Sequence, residues 1–414
     1  MKDDVPYNTG LVAAPMNLVL VGGGHAHIEV LRRWSRAPLA GVDLTLIVDR
    51  PRAVYSGMVP GFVAGDYRCG DIEIDVVALA RAAGARVVEA AATSLDPARR
   101  SISLATYAAA DAAGAPAATV SYDVASLDVG SSVRGLELPG VREHALATRP
   151  IGDFIGRVGE AVEACVQRSG SSVRVVVVGG GAAGFELAFT LGSRIRRSGV
   201  DAQILVVSES GQGMAGCTPR AARSIEREAA RFVISVVHGR RACAVDEAGV
   251  RLVASATAQR AADESRIDAD LVVWATGPAP PPVLAASRQL PLDARGFLRV
   301  RSSLQVPGYD DLFAVGDCAS MDAAPWVPKA GVYAVRQGPV LDANLRAYLS
   351  GRRPRAYRPQ RDFLSILNLG DGRALAIKGW VAVSGRLAWL LKDRIDRRFM
   401  LRYRRATQPL PRIL

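Results

Sequence analysis

Apolar residues in this chain fall into short runs that end at glycine turns, and helical periodicity follows the turns. Asn17 to Val21 is apolar and β-branched, and it closes on Gly22-Gly23-Gly24-His25-Ala26-His27. From Ile28 to Trp34 the apolar positions recur at helical spacing. A second apolar run, Val42 to Val48, ends on Asp49, which completes one strand–helix–strand unit. The order repeats with Arg174 to Val178, Gly179-Gly180-Gly181-Ala182-Ala183-Gly184, a helix through Leu191, and Ile204 to Ser208 ending on Glu209. Two further strands, Ser126 to Gly130 and Val272 to Gly277, run into glycine and close one unit each. Asp311 to Asp317 reads as a buried strand that delivers Gly316 and Asp317 at its carboxyl end, where open α/β sheets bind ligands.

Pro-rich linkers at Thr148-Arg149-Pro150 and at 277–282 suggest that one unit is inserted into the other. The expected fold class is α/β: two Rossmann-like three-layer domains, one inserted in the other, with a small C-terminal α+β region. The expected divisions are a disordered extension over 1–16, a first dinucleotide domain over 17–149 and 286–349, a second over 150–285, and a basic region over 350–414. In that last region Trp380, Val383, Leu387, Leu390/Leu391, Ile395 and Phe399 lie at helical spacing, with Arg386, Lys392, Arg394, Arg397 and Arg398 largely between them. The spacing predicts a basic amphipathic helix. Such a helix either lies in a headgroup region through residues 380–405 or packs its apolar stripe on the first domain or a second subunit.

Charge sharpens this picture. Residues 1–350 carry 36 basic and 36 acidic side chains, whereas 351–414 carry 16 and 4, so the whole net charge of +12 sits in the tail. A neutral body with a basic terminus argues against nucleic acid and for phospholipid or an acidic partner. The 49% hydrophobic content is ample for packed cores. Five cysteines, at 69, 165, 217, 243 and 318, form no CxxC pair, and with four histidines they show no metal-ligand spacing. Neither a bound metal nor a redox dithiol is expected. Asp3 and Asp4 stand where a signal peptide needs positive charge, and no apolar run approaches the roughly 18 residues of a membrane span. The chain reads as cytoplasmic.

Gly179-x-Gly181-x-x-Gly184 is a full dinucleotide fingerprint, with one glycine for the tight turn, one for close pyrophosphate approach and one for helix packing. Glu209, at the ribose position, favours NADH over NADPH, while Arg220 and Arg223 leave NADPH open. In the first fingerprint His27 replaces the third small residue, which predicts a helix set further from its strand. Gly316-Asp317 compensates, as a distant acidic strand end of the kind that holds an FAD ribityl chain. His25 and His27 read as packing or phosphate contacts, and Cys318 as a buried thiol or a group approaching the flavin.

These features, with Val21 to His27, Tyr55-Ser56-Gly57-Met58-Val59-Pro60-Gly61 and Pro328 to Gly338, resemble the pyridine nucleotide-disulfide oxidoreductase superfamily over roughly residues 17–349. Within it the chain looks like the type II NADH dehydrogenase-like flavoprotein branch often found fused to selenide, water dikinase. The resemblance implies FAD and NAD(P)H as cofactors. Gly22, Gly24 and Asp49 would hold the ADP half of FAD. Ser56 and Pro60, with their segment, would run beside the isoalloxazine, and Gly316-Asp317 would bind the ribityl. Gly179, Gly181, Gly184 and Glu209 would hold NADH. His25 and the closing turns at Gly130 and Gly277 complete the expected cofactor contacts.

Glu186 matches an acidic residue that in type II dehydrogenases lies near nicotinamide and acceptor; otherwise it is a carboxylate stabilised by the helix dipole. Lys329, one of only four lysines against 48 arginines, precedes a helical pattern over Ala330 to Leu349 and is a candidate to stabilise reduced flavin, or else a solvated surface lysine. The family's quinone-side stretch, Ala-Gln-x-Ala-x-Gln-Gln-Gly, is matched here only at Ala334, Gln337 and Gly338, which leaves the acceptor open. The expected function is an FAD-dependent NAD(P)H dehydrogenase passing electrons to a quinone, peripheral on the inner membrane face. The alternatives are a soluble flavin reductase serving a protein or selenium compound, and a redox-sensing module without turnover. Oligomeric state has no signature in the sequence.

Overall fold

A computed structural model of the chain describes residues 14–105, 118–211, 214, 217–255 and 264–407. Most of the expected N-terminal extension therefore lies outside the described residues. In chain order the first glycine-turn unit is β1 (Met16–Val21), α1 (His25–Trp34) and β2 (Val42–Val48), followed by β3 (Arg86–Glu89) and β4 (Val124–Leu127). The second unit comprises β5 (Ala145–Ala147), α2 (Ile151–Ser169), β6 (Ser172–Val178), α3 (Ala182–Arg197), β7 (Asp201–Ser208), β8 (Ile234–His238) and β9 (Leu271–Trp274). The chain then returns through β10 (Gln305–Val306), β11 (Tyr309–Ala314) and α4 (Gly331–Leu349). It finishes with β12 (Ser365–Asn368), β13 (Ala374–Lys378), β14 (Val381–Gly385) and α5 (Arg386–Thr407).

Two parallel sheets organise these elements. The first has the order β10-β11-β4-β1-β2-β3, antiparallel only at the β10–β11 edge, and the second has the order β5-β9-β6-β7-β8. In each, the strand that feeds the glycine turn is central: Leu18 pairs with both Leu44 and Val124, and Val176 with both Leu205 and Val272. Burial on both faces explains why Leu18, Val19 and Leu20, like Val175 to Val177, form unbroken apolar runs instead of alternating. Ala145–Ala147 joins the second sheet through β9, five residues before the boundary expected at 150. His27 is fully buried between α1 and the sheet, its Nδ1 donating to Gly22 O (2.7 Å) and its Nε2 accepting from Ser126 Oγ (2.8 Å). The room that a glycine would have closed is filled by a bonded imidazole ring. Cys318 is buried too, its thiol donating to Val315 O at 3.1 Å.

The tail departs from the expected single helix. Trp380 and Val383 do not belong to it: 381–385 pairs as β14 against β13, and the helix begins at Arg386. Gly379 (φ 54°) and Gly385 (φ 154°) bracket a β-branched pair, Val381 and Val383, so ladder pairing overrides the helical spacing. Lys392, placed by the spacing among the basic residues between the apolar positions, is buried. The face of α5 that meets the body is built around Lys392, Asp396, Phe399, Met400 and Tyr403, while Leu387, Leu390, Leu391 and Ile395 point to solvent.

Candidate active site

The first glycine turn opens onto a cleft of about 590 Å³. Its lining includes Gly22, Gly24, His25, Asp49, Ser56, Gly130, Arg149, Asp317, Gly331 and Ala334. The volume is that of a small-molecule site. The carboxyl ends of β1, β2 and β4 border it, as in open parallel sheets, and the amino-terminus of α4 adds a partial positive charge. Among the described residues, His25 Nε2 is shielded from water and has no hydrogen-bond partner. Burial pushes His25 down to about 4, so the ring is neutral at physiological pH. Arg149 donates to Asp317 and to Ser131 Oγ, which fixes the acidic group at the cleft wall.

Two residues expected on this cleft are elsewhere. Pro60 is buried in the short helix Val59–Ala64. Lys329 lines a small adjoining cavity that it shares with Asp317; its ammonium donates to Ala319 O and lies 4.3 Å from the Phe297 ring centroid. That environment is not the fully solvated one. Arg149 and the backbone of α4 at Gly331 bring positive charge to the cleft itself.

The second turn has the geometry of its fingerprint. A Cβ at Gly184 would stand 1.8 Å from Gly179 O, so helix and turn touch there, whereas a Cβ at Gly181 would meet open space. Glu209 is exposed just beyond β7. Gly277 packs against the Arg134 guanidinium, 2.5 Å from where a Cβ would sit.

Sequence reasoning missed a cluster that forms where the tail meets both units. Glu186 accepts from the Asn368 backbone N–H at 2.7 Å, so its carboxylate is held by the C-terminal sheet and not by the amino-terminal amides of its own helix. Burial pushes it up to about 7, against the pull of Lys392. Lys392 Nζ donates to Gly57 O (2.5 Å) and to Asp396 (2.9 Å). Asp396 also accepts from Tyr55, and its carboxyl is pushed up by burial. Asn368 Nδ2 in turn donates to Asp66 at 3.0 Å. Tyr55 stacks on Phe399 with centroids 4.1 Å apart. The only sequence signal for Lys392 was the scarcity of lysine, the same signal that had drawn attention to Lys329.

A pyridine nucleotide-disulphide oxidoreductase family model matches residues 16–338, most of the chain and both glycine turns. The chain belongs to that family. As a member it is an oxidoreductase that uses FAD and NAD(P)H. It is 25% identical over 385 residues to a demethylphylloquinone reductase of Synechocystis, covering 91% of this chain and 90% of the relative. In fold it resembles the Plasmodium falciparum NDH2 solved with NADH, with a TM-score of 0.79 at 13% identity over 95% of this chain and 96% of that one. It also resembles the sulfide:quinone oxidoreductase of Aquifex aeolicus, with a TM-score of 0.77 at 16% identity over 94% and 92%.

Proposed function

We propose that this family member is an NAD(P)H:quinone oxidoreductase that works at a membrane surface. The observation that carries the reading is the tail, which joins an exposed apolar face to a titratable cluster directly behind the cleft segment Tyr55–Gly57. Trp380, Val381, Val383, Leu387, Leu390, Leu391, Ile395 and Leu401 are all exposed on β14, its approach and α5. Single exposed apolar residues are ordinary, but this many on one hairpin and helix, beside Arg386, Arg394 and Arg398, suit the headgroup boundary of an anionic bilayer. Among the described residues no helix is long and apolar enough to cross a membrane, so contact would be peripheral. The relative named as a demethylphylloquinone reductase acts on a quinone, which supports the same acceptor class.

In this reading the first unit, residues 17–149 with 286–349, holds FAD, and the second, 150–285 together with its edge strand Ala145–Ala147, holds the nicotinamide nucleotide. FAD supplies the chemistry, taking two electrons from NAD(P)H and passing them on. Gly22, Gly24 and Gly130 would leave room for it, Asp49 would hold its ribose, and Asp317, anchored by Arg149, would hold its ribityl chain. Ser56 would contact its ring, and the α4 amino-terminus would favour negative charge there. Gly181 leaves room for a nucleotide to approach the second turn, and Glu209 prefers a free 2′-hydroxyl, hence NADH.

Reduction of a quinone to a quinol consumes two protons. Glu186, poised near 7, supplies one of them beside the segment that borders the cleft, while Asp396, paired with Lys392, holds Tyr55 at that segment. Anaerobic stopped-flow tests both halves: the yellow protein is mixed with NADH or NADPH and then with a short-chain ubiquinone. Fast bleaching followed by prompt reoxidation is expected. Bleaching without reoxidation would refute the quinone, and no bleaching by either nucleotide would refute the reading as a whole.

A further inference from the structure

Beneath the first glycine turn lies an acid that none of the motifs requires. Asp128 directly follows β4, is 3% exposed, and lines the cleft. Its Oδ2 accepts from the backbone N–H of Ala26 (2.8 Å) and of His27 (3.1 Å), the second and third residues of α1. Its backbone is tied to the turn as well: its N–H donates to Val21 O (2.8 Å), and its carbonyl accepts from Gly24 N–H (3.1 Å).

Three glycines from two distant motifs pack on this one residue. A Cβ at Gly24 would stand 2.2 Å from the Asp128 carboxyl carbon, one at Gly316 2.4 Å from Oδ1, and one at Gly22 2.4 Å from the carbonyl oxygen. Gly24, expected from the resemblance to hold the ADP half of FAD, is required here by an internal carboxyl. Amides at a helix amino-terminus attract anions. In α1 two of the leading ones are already engaged by Asp128.

The charged and titratable neighbours offer this acid no counter-charge. From α1 it is faced by His25 and His27, both pushed down to about 4 by burial and therefore neutral. From the turn after β11 it is faced by Cys318, whose thiol burial pushes up to about 12, and by Asp317, whose charge has the same sign. Arg149 lies beyond and is bonded to Asp317. Among the described residues no Arg or Lys pairs with Asp128, and burial together with Asp317 raises it to about 7.

We propose that Asp128 is a cofactor-positioning residue that must be protonated when the FAD pyrophosphate lies against the amino-terminus of α1, so that flavin binding is coupled to uptake of one proton. Ionised, it would set a buried carboxylate without a paired cation beside a dianion at one helix end, and the two would repel. Protonated on Oδ1, it still accepts both amides on Oδ2 and holds the turn in shape. The proton comes from solvent and returns there when FAD leaves. The inference rests on FAD occupying this cleft.

The test uses holoprotein. Dilution releases FAD, and the rise in free-flavin fluorescence gives the dissociation constant between about pH 5.5 and 8.5, spanning the titration. The constant should be flat at the acid end and rise by about tenfold per pH unit above about 7. Asp128→Asn should hold FAD with a constant that no longer changes over that range. A flat profile in the unmodified protein, or an unchanged slope in Asp128→Asn, would overturn the proposal. If Asp128→Asn does not fold, the slope for the unmodified protein decides alone. Failure to retain FAD at any pH would remove both the flavin assignment and this inference, whereas pH-independent retention removes only the inference.

Discussion

The Tyr55 hydroxyl donates to the Asp396 carboxylate at 3.2 Å, across 341 positions of sequence. Tyr55 opens the segment that borders the cleft, and Asp396 lies in the middle of the last helix. Lys392, one turn away, grips both Asp396 and Gly57 O, and Tyr67 and Tyr403 extend the contact to Asp393 and Glu29. The tail is therefore docked by matched polar groups together with Phe399, Met400 and Tyr403, while Leu387, Leu390, Leu391 and Ile395 stay exposed.

Lys392 and Asp396 form a buried pair, with side chains 10% and 5% exposed. Removing one partner of such a pair leaves the other uncompensated. Lys392→Ala should cost about 3 kcal/mol in chemical denaturation, whereas Lys392→Met with Asp396→Leu should recover most of that loss.

Glu186, pushed up to about 7, is protonated below that pH and ionised above it. As a proton donor to the acceptor, it makes reoxidation by quinone slow as pH rises through about 7. Glu186→Gln should lose this inflection and run about a hundredfold slower at low pH, while bleaching by NADH is little changed. A stopped-flow pH profile of the two half-reactions separates these outcomes.

The two glycines of the second turn should behave oppositely. Gly184→Ala forces a Cβ to 1.8 Å from Gly179 O and should lower the melting temperature markedly. Gly181→Ala meets no protein atom and should leave stability unchanged, yet raise the KM for NADH about tenfold by crowding the approaching nucleotide.

Glu209 should set the nucleotide preference, because a carboxylate accepts from a ribose hydroxyl and repels a 2′-phosphate. Glu209→Gln should narrow the ratio of kcat/KM for NADH over NADPH by about tenfold, as read from steady-state rates with the two nucleotides.

Leu387→Asp with Ile395→Asp places charge on two exposed positions of the outward stripe, at 82% and 45% exposure. Co-sedimentation with anionic vesicles should fall at least about tenfold, with no change in melting temperature and no change in turnover with a water-soluble quinone. Equal vesicle binding by this variant would refute the membrane reading of the tail.

The sequence alone determined the two glycine-turn units, their order and the acidic residues that close β2 and β11, because these depend on neighbours a few residues apart: a buried apolar run, a turn that tolerates no side chain, a helix that follows. It also determined that the charge excess lies in the tail. Long-range contacts decided the rest. The tail split into strand and helix because β13 offered Val381 and Val383 a ladder. Lys392 was drawn inward by Gly57 O and Asp396, of which only Asp396 is near it in sequence. Lys329 turned to Ala319 O and the Phe297 ring, and Asp128 came to lie under a turn more than a hundred residues earlier. Periodicity reports which face of an element is apolar, but not which groups wait on the body to receive it. In α5 those groups were Gly57 O, Tyr55 and Tyr67, so Lys392, Asp396 and Phe399 turned inward while Leu387, Leu390, Leu391 and Ile395 stayed outside.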